Sequence, residues 1–129
     1  MKLFNFSSIA GFVAGSLLGK YVSRGAVVVF DRVIIPALGV EEIVRFRVPQ
    51  GKKLVVPYVI NPAAFVGVDN VRVEIFDYTN NRVIVKTNTV EYEVHVIRGG
   101  VEISLRVIND NHKDVELPFC FGIESWKVI

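Results

Sequence analysis

After Gly25 the charged and apolar residues of this 129-residue chain alternate in short runs, and no later stretch holds the three-and-four spacing of an amphipathic helix. An extended backbone points successive side chains to opposite faces, so a period of two reads as strands with one covered and one solvated side. VRFRV (44–48) sends Val44, Phe46 and Val48 inward and Arg45 and Arg47 outward. VELPFCFGI (115–123) repeats the pattern with Val115, Leu117, Phe119, Phe121 and Ile123, and the closing SWKVI puts Trp126 and Val128 on one side. AVVVF (26–30) and RVII (32–35) are apolar runs, the second ended by Pro36, which has no N–H to offer a ladder.

Turn chemistry divides the rest. PQGKK supplies a turn before LVVPYVI (54–60), where Pro57 predicts an edge strand or a bulge. VRVEIFDY (71–78) and RVIVK (82–86) form a hairpin about Asn80-Asn81, because asparagine tolerates the positive φ of a two-residue turn. VEYEVHVI (90–97) and VEISLRVI (101–108) form another about Gly99-Gly100. Its register sets Val96 opposite Ile103, Val94 opposite Leu105 and Tyr92 opposite Val107 on a covered face, with Glu93 opposite Arg106 and His95 opposite Ser104 on the solvated one. Eight or nine strands at spacings of about 8 to 12 residues predict an all-β chain. The expected form is an antiparallel β-sandwich, jelly-roll or immunoglobulin-like, of about 8 strands, preceded by one N-terminal apolar α-helix.

That helix is expected at 8–24, which divides the chain into a leader at 1–25 and a β-sandwich domain at 26–129. Leu3 to Gly19 is 17 residues without a charge; Ser7 or Ser8 can cap the start, Lys20 and Arg24 suit the dipole at the end, and Gly25 stops it. A glycine inside a water-exposed helix costs about 1 kcal/mol relative to alanine, so three of them at four-residue steps need a reason. Ser7, Gly11, Gly15, Gly19 and Ser23 make one small face, with Phe12, Leu17 and Leu18 among the bulky residues around it, and close packing against another surface is the expected purpose. At 1.5 Å per residue the uncharged stretch spans about 25 Å, near the lower limit for a bilayer core. A membrane is therefore one setting, contact between subunits a second, and a plug in the chain's own sandwich a third. No small-x-small cleavage site follows the run, which argues against a cleaved signal peptide.

The charges, 15 basic against 13 acidic for a net of +2, are interspersed and favour neither nucleic acid nor an anionic surface. Arg45, Arg47, Lys52 and Lys53 gather about one turn but lack exposed aromatics for base stacking, so nucleic acid is not an expected partner. His95 and His112 each stand alone as solvent-exposed histidines, and Asp110, His112 and Asp114 alternate in a pattern too mixed to signal a metal. Glu91, Glu93 and Glu102 read as a solvated charged face. Nucleophile elbows, phosphate loops and dinucleotide fingerprints are absent. Cys120, between two phenylalanines, reads as a buried, inert thiol with no intrachain disulfide partner. No catalytic residue, metal, cofactor or small-molecule substrate is expected, and the chain reads as not an enzyme.

What remains is assembly: a non-enzymatic structural protein that forms a homo-oligomer, or is anchored, through its glycine-striped helix. An apolar leader before a valine-rich β body, with a single glutamine and an initiator as the sole methionine, is similar in composition to small virion or cell-surface proteins of hyperthermophiles. That resemblance implies a place at a membrane or in a virion or cell-surface layer rather than free in the cytoplasm. The alternative is a soluble carbohydrate- or protein-binding β-sandwich module that uses the apolar loop NPAAFVGVDN (61–70), with Tyr58, Phe65 and Tyr78 as contact residues.

Overall fold

The computed structural model describes residues 32–129; the helix expected at 8–24, with its small stripe and with Phe12, Leu17 and Leu18, and the run at 26–30 lie outside the described residues. The described chain is all-β. Its strands are β1 (Arg32–Ile35), β2 (Val40–Arg47), β3 (Lys53–Val56), β4 (Val59–Ile60), β5 (Val71–Asp77), β6 (Arg82–Thr87), β7 (Val90–Glu91), β8 (His95–Arg98), β9 (Glu102–Asn109), β10 (Val115–Pro118) and β11 (Lys127–Val128). They form open antiparallel sheets in the orders β2-β9-β5-β6, β11-β3-β8, β1-β10 and β4-β7. The Ile60 N–H of β4 donates to the Phe121 carbonyl in the segment that follows β10.

The period of two sets what each strand covers. Val44, Phe46 and Val48 are buried while Arg45 and Arg47 are exposed, and Val115, Leu117, Phe119, Phe121 and Ile123 are all buried. Side chains from every larger sheet enter one apolar cluster, including Ile35, Phe46, Leu54, Ile75, Leu105, Leu117 and Trp126. Each such aliphatic side chain contributes about 1.5 to 3 kcal/mol when fully covered. Trp126 is fully buried with its ring 6.4 Å from that of Phe46, so the C-terminal segment is held by packing as well as by two ladder residues.

Two buried asparagines fasten loops to sheet ends. Asn61 accepts from the Ala63 N–H, capping the short 3₁₀ turn Pro62–Ala64, and donates to the Val71 and Thr87 carbonyls. Asn109 donates to the carbonyls of Ile35, Pro36 and Lys113. A primary amide can satisfy several backbone groups at once, which removes the penalty of leaving loop carbonyls buried and unpaired.

Three local expectations are corrected. Pro57 produces neither an edge strand nor a bulge: the run breaks at Pro57-Tyr58, leaving β3 as the middle strand of one sheet and β4 in another ribbon. The Asn80-Asn81 hairpin is present, but as a four-residue loop between Asp77 and Arg82, with positive φ at Asn81. The Gly99-Gly100 hairpin does not form. β8 pairs with β3, while β9 lies between β2 and β5, so Val94 and Val96 face solvent and His95 turns inward. A two-residue I′ turn needs positive φ at both glycines, and here only Gly100 has it, at 88°. The chain instead crosses between sheets, with the Gly100 N–H donating to Val48 O and the Val48 N–H to Val101 O, both at 2.8 Å.

Gly99 passes so close to the Pro49–Lys52 turn that an added Cβ would overlap Pro49 O and stand 2.5 Å from Lys52 O. Because both are backbone atoms, Gly99→Ala is expected to cost upward of about 3 kcal/mol in urea unfolding. Gly51→Ala, at φ 81° but facing open space, is expected to cost about 1 to 2 kcal/mol. Equal losses at the two sites would refute the close approach.

Asp77 closes the β5–β6 loop. Its carboxylate accepts from the Asn80 side-chain amide at 2.7 Å and backbone N–H at 3.1 Å, and lies 3.6 Å from Arg82. Burial opposes the charge, but the hydrogen bonds from Asn80 and Thr79 and the Arg82 guanidinium prevail, so the carboxyl titrates below its ordinary value. A depressed pKa adds stability that is present above the unfolded-state value and lost as pH falls through the folded one, here below about pH 4. Asp77→Asn turns an acceptor into a donor facing the Asn80 amide and is expected to cost about 1 to 3 kcal/mol at pH 7. The gap to the parent should narrow below pH 4, as read by thermal unfolding across pH.

Candidate functional site

The apolar loop at 61–70 leaves Phe65 and Val66 uncovered. The Asn61 cap and Pro62 start the 3₁₀ turn, which buries Pro62 and Ala63 and swings Phe65 and Val66 outward. Phe65 is 62% exposed. Beside it the break at Pro57 lays the Tyr58 ring over Gly122, where a Cβ would come within 2.8 Å of Cε2, so only glycine admits the ring. Tyr58, Ile60, Phe65, Val90 and Tyr92 then line one hollow of about 240 Å³. Beyond Tyr92, which is 76% exposed, the chain continues with Val94 and Val96, each 59% exposed, before Ile97 returns to the core.

Tyr92 and the two valines are the residues that the expected hairpin would have covered. The cue was a run too apolar for one face of one sheet; the obstacle was that β8 and β9 offer each other an equally well-matched register. Of the three contact residues expected around the loop, Tyr58 and Phe65 come together here and Tyr78 does not. Tyr78 belongs to the outer face of the β2-β9-β5-β6 sheet, edge-on to Phe76 with ring centres 5.1 Å apart, beneath the Arg45 guanidinium and donating to Glu42.

That outer face carries a network of ion pairs. Glu74, 4% exposed, accepts from Arg72 and from Arg106; Arg72 also reaches Asp110 at 2.8 Å, and Arg106 lies over the Phe76 ring. Arg45 binds Glu102, and Ser104, fully buried, donates to Glu42. The expected Glu93–Arg106 and His95–Ser104 pairs are replaced by these. Of the basic cluster about the 49–53 turn, Arg45 is held by Glu102, and Arg47 donates to the Gly100 carbonyl. The hydrogen bond that Arg45 donates to Glu102 raises the Arg45 pKa and outweighs the opposing effect of burial, with the nearby charges of Glu102 and Glu42 adding less.

The opposite side of the 61–70 loop borders a wider polar hollow of about 710 Å³ lined by Asp69, Arg72, Asn88, Thr89 and Asp110 among others. Asp110 is engaged by Arg72, and Asp114 accepts from the Ala37 N–H. Among the described residues no three His, Cys, Asp or Glu side chains are grouped to hold a metal ion. Burial, then Glu124, pushes the half-buried Cys120 thiol above its ordinary pKa, which lowers its thiolate fraction and reactivity. No described helix is long and apolar enough to cross a membrane. Comparison with protein-family models, curated proteins and solved structures found no match for this chain.

The outward rings of Phe65 and Tyr92 cover little of the core. Phe65→Ser with Tyr92→Ser is therefore expected to change unfolding stability by less than about 1 kcal/mol while lowering binding of an apolar dye to the folded protein at least severalfold. Loss of several kcal/mol in the double variant would show the rings to be structural.

Proposed function

We propose that this chain is a non-enzymatic structural protein that assembles into homo-oligomers. In this reading its β body is a two-layer sandwich of jelly-roll or immunoglobulin-like type, with β2-β9-β5-β6 as one layer and the remaining strands as the other. The shared cluster of inward residues supports that arrangement. The single observation that carries the function is the apolar flank of Phe65, Val66, Tyr92, Val94 and Val96, left uncovered beside a sheet whose outer face holds the Glu74–Arg72 and Glu74–Arg106 ion pairs. Contiguous apolar surface rimmed by polar residues marks a contact site on a small domain. In this reading the uncharged leader, whose Ser7, Gly11, Gly15, Gly19 and Ser23 recur at four-residue steps, is the second apolar element, and the assembly lies against a membrane or in a virion or cell-surface layer of a thermophile.

The hollow at Tyr58, Phe65 and Tyr92 favours one alternative, a soluble β-sandwich module binding through the 61–70 loop. A sugar needs hydrogen-bonding groups around the stacking ring, whereas this lining is Ile60, Val90, three aromatic rings and only two phenol hydroxyls. A protein side chain fits it better than a carbohydrate.

The leader is tested in the full chain by Gly15→Leu, which blocks close approach on the small face. Light scattering, with and without detergent, is expected to show self-association weakened at least about tenfold, or about 1.4 kcal/mol. A parent chain that is monomeric without detergent at all concentrations removes the reading.

A further inference from the structure

Most aromatic rings of the described chain have a partner. Phe46 packs with Trp126 and Phe119 with Phe121, while Phe76 and Tyr78 meet edge-on, the first under the Arg106 guanidinium at 4.1 Å and the second under that of Arg45 at 3.9 Å. The remaining three, Tyr58, Phe65 and Tyr92, have no ring or cation contact among the described residues, and all three line the same hollow of about 240 Å³. The charges about that hollow are of one sign. The segments that line it or lie beneath it, 57–68, 88–94 and 119–126, hold no lysine or arginine but carry Glu91, Glu93 and Glu124, in a chain whose net charge is +2. Glu91 and Glu93 flank Tyr92, and Glu124 stands two residues past Gly122, over which the Tyr58 ring lies. Unlike Glu74 and Glu102, none of the three forms an ion pair among the described residues. Carboxylates without counter-charges around an apolar hollow draw a cation toward it.

We propose that this hollow is a cation cage that takes the methylated ammonium of a lysine side chain presented by a partner protein. The inference rests on the reading of the 61–70 loop as a protein contact and is independent of the leader. A hollow of about 240 Å³ is smaller than the roughly 300 Å³ at which pockets for whole small molecules begin, so it has room for the head of one side chain. A cation against aromatic rings is a contact the chain already makes at Tyr78 and Phe76, and methylated ammonium groups are held in cages of such rings. The lining side chains offer no polar atom besides the Tyr58 and Tyr92 hydroxyls. A primary ammonium brings three N–H donors and a guanidinium five, which these two oxygens leave short of acceptors once water is displaced. A trimethylated ammonium has no N–H, and its methyl groups pack against Ile60, Val90 and the rings. Val66 and Val94, one residue past Phe65 and two past Tyr92, are also exposed and give the partner's neighbouring residues an apolar surface to lie on, which favours a protein over a free cation.

The test uses the full chain in a sugar-headed detergent and four probes: acetyl-trimethyllysine amide, acetyl-lysine amide, the neutral analogue of the first with carbon in place of the charged nitrogen, and choline. Binding is read from the probe's proton resonances, which nearby aromatic rings shift. The trimethyllysine probe is expected to bind at least about tenfold more tightly than the neutral analogue or the unmodified lysine, and more tightly than choline. Phe65→Leu and Tyr92→Leu, which keep apolar volume at exposed positions but remove the ring, are expected to weaken it at least about fivefold, and Phe65→Tyr to retain it. Glu93→Gln with Glu124→Gln is expected to weaken it at least about twofold. Equal binding of the charged and neutral probes overturns the cage and keeps the loop as an apolar contact; tighter binding of choline or of unmodified lysine overturns the occupant. Undiminished binding in the leucine or glutamine variants overturns the site. No binding of any probe rejects the cage, alone if the apolar dye still binds the flank and together with the loop reading if it does not. The Gly15→Leu result is unaffected by each of these, so the leader assembly stands or falls separately.

Discussion

The backbone at Gly99 lies against the Pro49–Lys52 turn at a separation that only a hydrogen atom fits, and the arrangement of the larger sheets follows from that close approach. It sends the chain from β8 in one sheet to β9 in another instead of folding it back on itself. β9 is thereby freed to pair on both sides, with β2 and with β5, and it becomes the central strand around which the four-stranded sheet is laid. β8 takes the outside of a different sheet, and its valines, which a local hairpin would have buried, stay in water.

The two outer surfaces that result differ in how far their groups are satisfied. On the β2-β9-β5-β6 face each buried polar group has a charged or hydrogen-bonding partner: Glu74 with two arginines, Ser104 and Tyr78 with Glu42. Such a face is at rest in water, because solvated ion pairs gain little by meeting another surface. Along Phe65, Tyr92, Val94 and Val96 no equivalent cover exists among the described residues, and burial there would gain about 25 cal/mol for each square ångström removed from water. The difference between a satisfied and an unsatisfied face is the physical basis for reading the second as the working surface.

Part of that surface was legible in the residues. The loop at 61–70 is apolar without strand periodicity, and Pro57 marks a break that releases Tyr58 from a ladder, so both contributions to the hollow could be anticipated. Tyr78 could not be separated from them, because its partners Arg45 and Glu42 come from β2, more than thirty residues away in the chain. Asn61 and Asn109 carry no pattern at all in one dimension. Their importance lies in the carbonyls they reach, and those belong to residues as far away as Ile35 from Asn109.

By itself the sequence determined the all-β class, the inward face of VRFRV and of the 115–123 run, the stop at Pro36 and the turn at Asn81, because each depends on the alternation of side chains or on the φ preference of one residue. It also set apart the uncharged leader, which is a matter of composition. Only the tertiary structure decided which strands are neighbours. Cross-strand matching is a local criterion that β8 satisfies with β9 as well as with β3. The choice between them was made by the steric fit of Gly99 and by the partners that Arg106 and Glu102 found on β5 and β2. The exposure of Tyr92, Val94 and Val96 is a product of that choice, which is why these three alternating residues could not be read as a surface until the sheets were in place.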